Sequence, residues 1–530
     1  MGITIDSSSI FPSGFEHKSA WRESSESETS QKSVTTPGNT ENGLGDYYDE
    51  NGRLRKSTGL GWILAAFFVV ADMAGGGIVA LPTAIVRCGF WLGICILAVM
   101  CVMATTSAVM LGRAWEILLR RFPEYRTHCR KPYAEIGYRA LGPKMKTIVS
   151  ICVNFTQFGA SVVFLLLCAK NIDEFLRVFF AIDIGFCIVI LVVALLLLPI
   201  TMLKSPQDFW PVVVGGMVST GLAVVLVGVG SMMDYADCGP VSEMPPMKAS
   251  NVLVALGTIL FTYGGHSAFP TIQHDMKRPS QFDKSSILAF TIITVLNISA
   301  VCIGGWTYGD SLRESVINSI QTFWIQQAIN VMITAHCLLT VTLLINPLYQ
   351  EAEELFKIPQ GFSMKRVLVR SCIMVAVVFM GLSLPSFGHV LDFIGSSTVT
   401  LTSVVFPCLF YLYLAAAEKK ANDPMNLKYA MDEEKPISFI EMVRRTDLKT
   451  LFYCGVISVI GSVAGLVATY SALKALSVTH FVPPCYLKSF FNTTTNFAPT
   501  AVTNCCGPFQ NISRNGPIND FCTAIDLEFY

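Results

Sequence analysis

The sequence predicts an all-α polytopic membrane protein, and three observations support this prediction. Of the 530 residues, 52% are apolar and 14% are charged, whereas soluble proteins carry about 25% charged residues. Eleven apolar stretches are long enough to cross a bilayer as helices. Two of these stretches share a glycine- and proline-rich interruption, which indicates a repeated helix break.

The eleven predicted transmembrane helices follow one another along the middle of the chain, within a domain that we place at residues 59–473. A short Pro/Gly turn, 385–389, separates the ninth from the tenth. They cover roughly 60–85, 88–112, 147–169, 182–202, 209–233, 251–272, 286–308, 318–346, 367–384, 390–415 and 450–473.

Both ends of the chain differ in composition from this domain. Residues 1–58 are rich in Ser, Thr, Glu and Gly and contain no apolar segment typical of a signal peptide, so we predict a disordered cytosolic tail.

Net charge is zero and no basic run occurs, which argues against a nucleic-acid partner. The lipid bilayer is the partner that the composition requires.

Loop charges predict the orientation, because cytosolic loops of membrane proteins are enriched in Lys and Arg. With the N-terminus inside, the cytosolic loops hold 24 such residues and the opposite loops hold five. An odd number of helices then leaves residues 474–530 extracellular or luminal. The sequence does not distinguish the plasma membrane from a lysosomal or vesicular one.

The C-terminal tail, 474–530, carries independent signs of the non-cytosolic side. Asn492 and Asn511 each begin an Asn-x-Ser/Thr sequon for glycosylation. Cysteines on the oxidising side of a membrane form disulfides. The candidates, whose pairing stays open and whose odd number leaves one free or paired elsewhere, are Cys238, Cys485, Cys505, Cys506 and Cys522.

The repeated break points to a binding site. Residues 76–83 read GGIVALPT, and residues 264–271 read GGHSAFPT. Paired interruptions in two halves of a membrane chain mark the binding sites of secondary transporters. Two unrelated kinked helices are the plainer reading, since Gly and Pro are frequent in membrane helices.

The chemistry of the two breaks suits a zwitterion. A helix that restarts near Gly77 presents free N–H groups, which attract a carboxylate, and Gly75 and Gly76 allow close approach. The end of the sixth helix offers carbonyls that attract an ammonium group. Those carbonyls belong to Phe261, Thr262 and Tyr263.

Two titratable residues beside the breaks are candidates for binding a coupling ion. Asp72 costs about 2.5–3.5 kcal/mol at a helix centre on insertion scales, so it either braces the bundle or binds a proton or cation. His266 directly follows the second break, and histidine titrates near neutral pH. His336 and His389 are weaker candidates, the latter placed in a loop. Asn154 and Gln157 either line a cavity or join helices.

No motif of an enzyme is present. The chain lacks H-E-x-x-H, G-x-S-x-G and the phosphate-binding P-loop. Its histidines are too far apart in sequence to form a metal pair on one helix. We therefore predict no catalytic residues, no metal site and no cofactor.

Several of these motifs resemble those of the amino acid/auxin permease family. They are GGGIVALP in the first helix, FTYGGHSAFPTIQHDMKRPSQF in the sixth, TYGD at 307–310 and INP at 345–347. The likeness covers roughly residues 59–470 and is closest to the proton-coupled and vesicular amino acid transporters. It implies eleven helices, ten of them in two inverted five-helix repeats of the leucine-transporter type.

The resemblance also implies roles for residues at the breaks. Gly75, Gly76 and Gly77 would bind the carboxylate of an amino acid, and Tyr263 and Gly264 would face it. Sodium-coupled relatives tend to have Asn four residues before the first motif glycine, where this chain has Ala71. A coupling proton is therefore favoured over sodium.

The leading hypothesis is a secondary active transporter, a symporter of protons and a neutral amino acid. The alternative is a transporter-like sensor that binds an amino acid without moving it. The sequence does not identify the amino acid.

Overall fold

The computed structural model describes residues 47–48, 54–127, 129–182, 184–202, 210–358, 363–423, 435–479 and 484–487. Most of the two predicted tails lies outside these ranges. The predicted glycosylation and disulfide residues of the C-terminal tail therefore lie outside the described residues: Asn492, Asn511, Cys505, Cys506 and Cys522.

The described part of the chain is almost entirely helical, with one short antiparallel pair, β1 (Tyr47–Tyr48) and β2 (Leu54–Arg55). Two π-helical segments, Gly395–Val399 and Leu401–Val405, lie between α13 and α14. The helices are α1 (Trp62–Met73), α2 (Gly76–Arg87), α3 (Phe90–Arg121), α4 (Pro132–Leu141), α5 (Pro143–Phe180), α6 (Phe186–Thr201), α7 (Trp210–Cys238), α8 (Ala249–Thr262), α9 (Phe269–His274), α10 (Phe282–Tyr308), α11 (Phe323–Leu355), α12 (Met364–Ser383), α13 (Phe387–Ile394), α14 (Phe406–Ala421), α15 (Phe439–Arg445) and α16 (Leu448–Lys474).

The lengths and apolarity of these helices confirm a multi-pass membrane fold. Within the described residues, eight helical segments are long and apolar enough to span a bilayer, and the bent pair α1–α2 makes a ninth. The helices α6 and α8 are apolar but shorter, with 16 and 14 residues. A count of eleven requires both of them to cross, so the exact number stays a prediction.

The two helix breaks occur where the glycine motifs predicted them. The first separates α1 from α2 at Ala74 and Gly75, with a bend of 59°. The second occupies residues 263–268, between α8 and α9. Gly75 and Gly265 have φ angles of 129° and 137°, a conformation that glycine adopts at little cost.

The broken helices are held inside a bundle. The first half of the broken first helix, α1, packs against α7 and α10, whereas the second half, α2, packs against α8 and α10. The long helices α5 and α11 pack along each other. Local sequence signals set some of their ends, as where Gly142 closes α4 at a φ of 92° and Pro143 starts α5.

A disulfide joins Cys485 of the C-terminal segment to Cys187 near the start of α6, with their Cα atoms 5.8 Å apart. Cys187 is not among the disulfide candidates that the sequence indicates, because it falls within the predicted helix 182–202, so that set of candidates is incomplete. The reason is that α6 begins only at Phe186, at the membrane end where the C-terminal segment lies. Cys238 is also disulfide-bonded.

Candidate functional site

A cavity of about 290 Å³ leads from the molecular surface to the second helix break and to Asp72, two residues before the first break. Its outer walls include the exposed Arg130 and the half-buried Lys131, which follow α3, and Glu351 near the end of α11. Loop charges predict that this end of the molecule faces the cytosol. Its inner walls include Asp72 on α1 and Ala268 in the second break. The cavity therefore connects one end of the bundle to the interruption of the second helix and to the end of α1.

Asp72 is the predicted site residue that lines this cavity. Its side chain lies against the second break, because a Cβ atom built on Gly265 would be 2.8 Å from Asp72 Oδ2. Among the described residues, none forms a hydrogen bond or ion pair with its carboxylate. The carboxylate thus connects the two breaks and is open to a ligand or proton from the cavity.

Polar side chains from two further helices reach the same depth. Gln157 on α5, Ser267 in the second break and Thr340 on α11 line the cavity, with Gln157 Nε2 3.5 Å from Ser267 Oγ. Asn154 lines it as well. The amide and hydroxyl groups offer hydrogen bonds to a small polar ligand without adding charge. Sequence reasoning named Asn154 and Gln157 but missed Ser267, which directly follows His266.

The three glycines predicted to bind a carboxylate are buried and do not line the cavity. A Cβ atom on Gly75 would be 2.7 Å from Phe164 Cε1, and one on Gly76 would be 3.3 Å from Phe387 Cε2. A Cβ on Gly77 would be 2.6 Å from Thr262 Oγ1. In this conformation the glycines let neighbouring side chains pack against the break, and their ligand-binding role stays a prediction.

The predicted residues of the sixth helix are also enclosed. Phe261 O accepts a hydrogen bond from Gly264 N at 2.9 Å. This bond occupies one lone pair of a carbonyl that the sequence predicts to bind the ammonium group of the substrate. Thr262 Oγ1 donates to Thr258 O. The Tyr263 hydroxyl lies 3.0 Å from Thr294 Oγ1 on α10, so its ring turns away from the cavity. Their contact with a substrate stays a prediction that needs a different conformation.

His266 is buried against α3 rather than in the cavity. Its Nε2 lies 3.0 Å from both Ala104 O and Ser107 Oγ. Its Nδ1 has no hydrogen-bond partner among the described residues. A neutral imidazole with its proton on Nε2 satisfies these neighbours. Its role in ion coupling stays a prediction.

His336 lies at the first break, a position that no local sequence motif predicts. Its Nε2 is 2.8 Å from Ala74 O, the carbonyl of the residue that ends α1. Its Nδ1 is 3.1 Å from Gly216 O on α7. The histidine and Ala74 are 262 residues apart in sequence, so only the packing of α11 against α1 and α7 brings them together.

The opposite end of the bundle is tied together by ionic contacts. Lys170 Nζ on α5 lies 2.7 Å from Glu314 Oε2 in the segment before α11. Glu314 Oε1 also accepts a hydrogen bond from Gly388 N at the start of α13. Burial raises the pKa of the Glu314 carboxyl, but Lys170 and His389 outweigh it and hold that pKa below its usual range.

The structure corrects one histidine placement. His389 lies in the first turn of α13 rather than in a loop, and its Nδ1 is 2.6 Å from Ser386 Oγ. The helix begins at Phe387, three residues before the predicted start at 390, and the Phe387 side chain, 1% exposed, is buried in the core.

Comparison with known proteins decides the family. Residues 58–434 match the family described as transmembrane amino acid transporter protein, which is well over half of the chain. The chain belongs to this family. This confirms the resemblance to the amino acid permeases that the break motifs indicated.

Members of the transmembrane amino acid transporter family from Arabidopsis thaliana are similar to the chain over most of its length. Amino acid transporter AVT1D is 27% identical over 418 residues, covering 76% of this chain and 68% of that protein. Amino acid transporter AVT1J is 25% identical over 367 residues, covering 66% and 82% respectively.

Solved structures with a related shape are more distant. A manganese transporter mutant of Eremococcus coleocola aligns with a TM-score of 0.44 and 12% identity, over 79% of this chain and 97% of its own. The inward-facing conformation of Mhp1 aligns with a TM-score of 0.43 and 13% identity, over 79% and 90%.

Proposed function

We propose that the protein is a secondary active transporter that carries a neutral amino acid across a membrane by alternating access, in symport with protons. The observation that carries this proposal is the cavity that runs from one end of the bundle to the second helix break and is lined by Asp72, two residues before the first break. Family membership supports amino acid transport, and the break geometry supports a small polar ligand.

The present conformation corresponds to the state open to the cytosol. The cavity opens beside Arg130, at the end that loop charges predict to be cytosolic. At the opposite end, Lys170, Glu314 and Gly388 join α5, the segment before α11 and α13. Breaking these contacts would open the other side, as alternating access requires.

The site favours a neutral amino acid for a chemical reason. The polar side chains deep in the cavity, Gln157, Ser267 and Thr340, are uncharged. Asp72 is the acidic side chain at that depth, and we assign it to the coupling proton. The amino and carboxyl groups of the substrate would then be bound by helix-end carbonyls and amides, as the breaks provide.

A proton is the better coupling ion because Ala71 replaces the Asn found in sodium-coupled relatives. The side chain of alanine offers no oxygen to a sodium ion. The carboxylate of Asp72 is able to bind and release a proton from cavity water in this conformation. Binding neutralises it, which lowers the cost of moving it through an apolar environment.

We propose further that the C-terminal tail lies on the extracellular or luminal side and is glycosylated at Asn492 and Asn511. In support, the Cys187–Cys485 disulfide lies at the end of α6 away from the cavity mouth. At the cavity mouth, by contrast, Leu60 N near the start of α1 donates to Asp275 O. The N- and C-terminal segments thus flank opposite ends of the bundle.

Uptake into proteoliposomes tests the function directly. The purified full-length chain is reconstituted, and uptake of a mixture of radiolabelled neutral amino acids is measured with pH and sodium gradients imposed separately. We expect accumulation driven by a proton gradient and independent of sodium. Accumulation driven by sodium alone would contradict proton coupling. Binding of label without entry into the vesicles would contradict transport itself and favour a sensor.

A further inference from the structure

The ring of His336 faces hydrogen-bond acceptors on both sides. Its two nitrogens point to two backbone carbonyls, Ala74 O at 2.8 Å and Gly216 O at 3.1 Å. A neutral imidazole has one N–H group and is able to donate to only one of them. The protonated ring donates to both. The side chain is 1% exposed, so water cannot freely replace the missing bond.

Thr340 provides the partner that the neutral ring needs. Its hydroxyl lies 2.9 Å from His336 O and 3.2 Å from His336 Nε2, one turn along the same helix. When the ring is protonated, the hydroxyl donates to His336 O. When Nε2 has lost its proton, the hydroxyl is able to rotate and donate to Nε2 instead. Nδ1 keeps its proton and its bond to Gly216 O in both states.

We infer that His336 carries a coupling proton and that its protonation decides whether the carbonyl of Ala74 is held at the first helix break. This inference rests on the proposed proton-coupled transport. Protonated His336 ties the end of α1 to α11 and, through Gly216, to α7. Loss of the proton frees Ala74 O, and α1 is then able to move relative to α11.

The proton has a route to the cavity. Thr340 lines the cavity that opens at the predicted cytosolic end, and its hydroxyl contacts Nε2. Nε2 gives its proton to the hydroxyl oxygen as the hydroxyl passes its own proton to cavity water. The products are the neutral ring, protonated on Nδ1, and a hydronium ion. No other reactant is required.

The two backbone carbonyls, rather than charged side chains, are the main hydrogen-bond partners of the His336 ring. None of the neighbouring titratable groups forms a hydrogen bond with the ring among the described residues. The Asp72 carboxylate turns towards Gly265. On α7, the first charged residue beyond Gly216 is Asp234, about 27 Å further along the helix. The titratable groups nearest along the packed elements are Asp72 on α1, Cys168 and Lys170 on α5, Asp234 on α7 and Cys337 and Glu351 on α11.

His266 is the natural comparison, because it is equally buried and also lies beside a break. The neutral ring of His266 is able to make the hydrogen bond to Ala104 O through Nε2, and Nδ1 faces no hydrogen-bond partner among the described residues. Protonation of His266 would place an N–H group on Nδ1 with no described acceptor. The two histidines therefore differ in their backbone acceptors: both nitrogens of His336 face a carbonyl, whereas only Nε2 of His266 does.

The experiment uses the full-length protein in proteoliposomes and two assays on radiolabelled neutral amino acids. The first measures accumulation driven by a pH gradient, and the second measures exchange of internal and external label at equal pH. Exchange needs no net proton movement. We expect H336Q to reduce gradient-driven accumulation about tenfold, an effect of the size that coupling between two binding sites produces. Exchange at equal pH should continue.

A second pair of variants tests the switch itself. T340V removes the donor that stabilises the neutral ring, so the pH of half-maximal uptake should rise by about half a unit to one unit. T342V is the matched control, because the Thr342 hydroxyl donates to Leu339 O within its own helix. It should leave that pH unchanged. A purely structural role for Thr340 would lower uptake without moving the pH profile.

The outcomes are separable. Gradient-driven accumulation retained in H336Q, or lost in H266Q but not in H336Q, overturns the inference. If H336Q loses exchange as well, the T340V variant provides the test. An unchanged pH of half-maximal uptake in T340V then overturns the inference. Wild-type protein that exchanges label but ignores a pH gradient would instead contradict the proposed proton coupling.

Discussion

The carboxylate of Asp72 on the first broken helix lies against the backbone of Gly265 in the second. A Cβ atom on Gly265 would be 2.8 Å from Asp72 Oδ2, and the φ angle of 137° is one that other residues rarely adopt. The two breaks therefore meet through one acid and one glycine, although 193 positions separate them in sequence.

Gly265→Ala should reduce amino acid uptake by at least about tenfold, because it combines backbone strain with a clash at Asp72. Uptake into proteoliposomes at equal protein content provides the measurement. Gly221→Ala is the matched control, since a Cβ atom on that α7 glycine would meet nothing within 4 Å. Equal uptake by both variants would mean that contact between the two breaks is not needed for transport.

Asp72→Asn should abolish the dependence of accumulation on a pH gradient while exchange at equal pH continues. The amide is close in size to the carboxyl group but does not exchange a proton. Comparison of the two assays on the same vesicles checks this. If the variant still concentrates amino acids along a proton gradient, Asp72 braces the bundle and another group carries the proton.

Gly77→Ala should be far more damaging than Gly76→Ala. A Cβ on Gly77 would approach the Thr262 Cα to 2.9 Å, and rigid backbone on α8 cannot move aside cheaply. Overpacking of this kind costs about 1–3 kcal/mol. At Gly76 the nearest atom, Phe387 Cε2 at 3.3 Å, belongs to a side chain. The melting temperature in detergent should be lower for Gly77→Ala than for Gly76→Ala. Equal melting temperatures would contradict the close packing of α2 against α8.

Glu314→Gln should lower the free energy of unfolding by about 1.5–3 kcal/mol, the range for hydrogen bonds to charged groups. The pKa of Glu314 is lowered in the fold, so its contribution is complete above its usual pKa and is lost as the pH falls through the lowered value. The variant and wild type should therefore differ at pH 7 and converge in acid. A difference that persists at the lowest pH would show that the ion pair is not its cause.

Cys485→Ser should expose the Cys187 thiol to a membrane-impermeant maleimide added to the side of the C-terminal tail. The disulfide that joins these residues leaves no thiol at either position. The double variant Cys187→Ser/Cys485→Ser measures background labelling. Labelling of Cys485→Ser only after the membrane is permeabilised would reverse the predicted orientation.

Local sequence signals are enough to predict the class of protein and the positions of both helix breaks. Long apolar stretches must form helices in a bilayer, because every backbone polar group needs a partner there. Glycine and proline then interrupt a helix through local backbone geometry, as Gly75 and Gly265 do here. These effects act over a few residues, so the sequence is enough to predict them.

Which side chains meet at the site depends on how the helices pack, and the sequence motifs do not reveal it. The sequence ranked His266 above His336 because it follows a glycine motif, yet His336 is the histidine that reaches the first break. Thr340 gives no local signal, but packing of α11 places it on the cavity. Its neighbours come from helices far along the chain, and the direction of a side chain depends on how those helices rotate against each other. That rotation is fixed by packing of whole surfaces, which no short motif encodes.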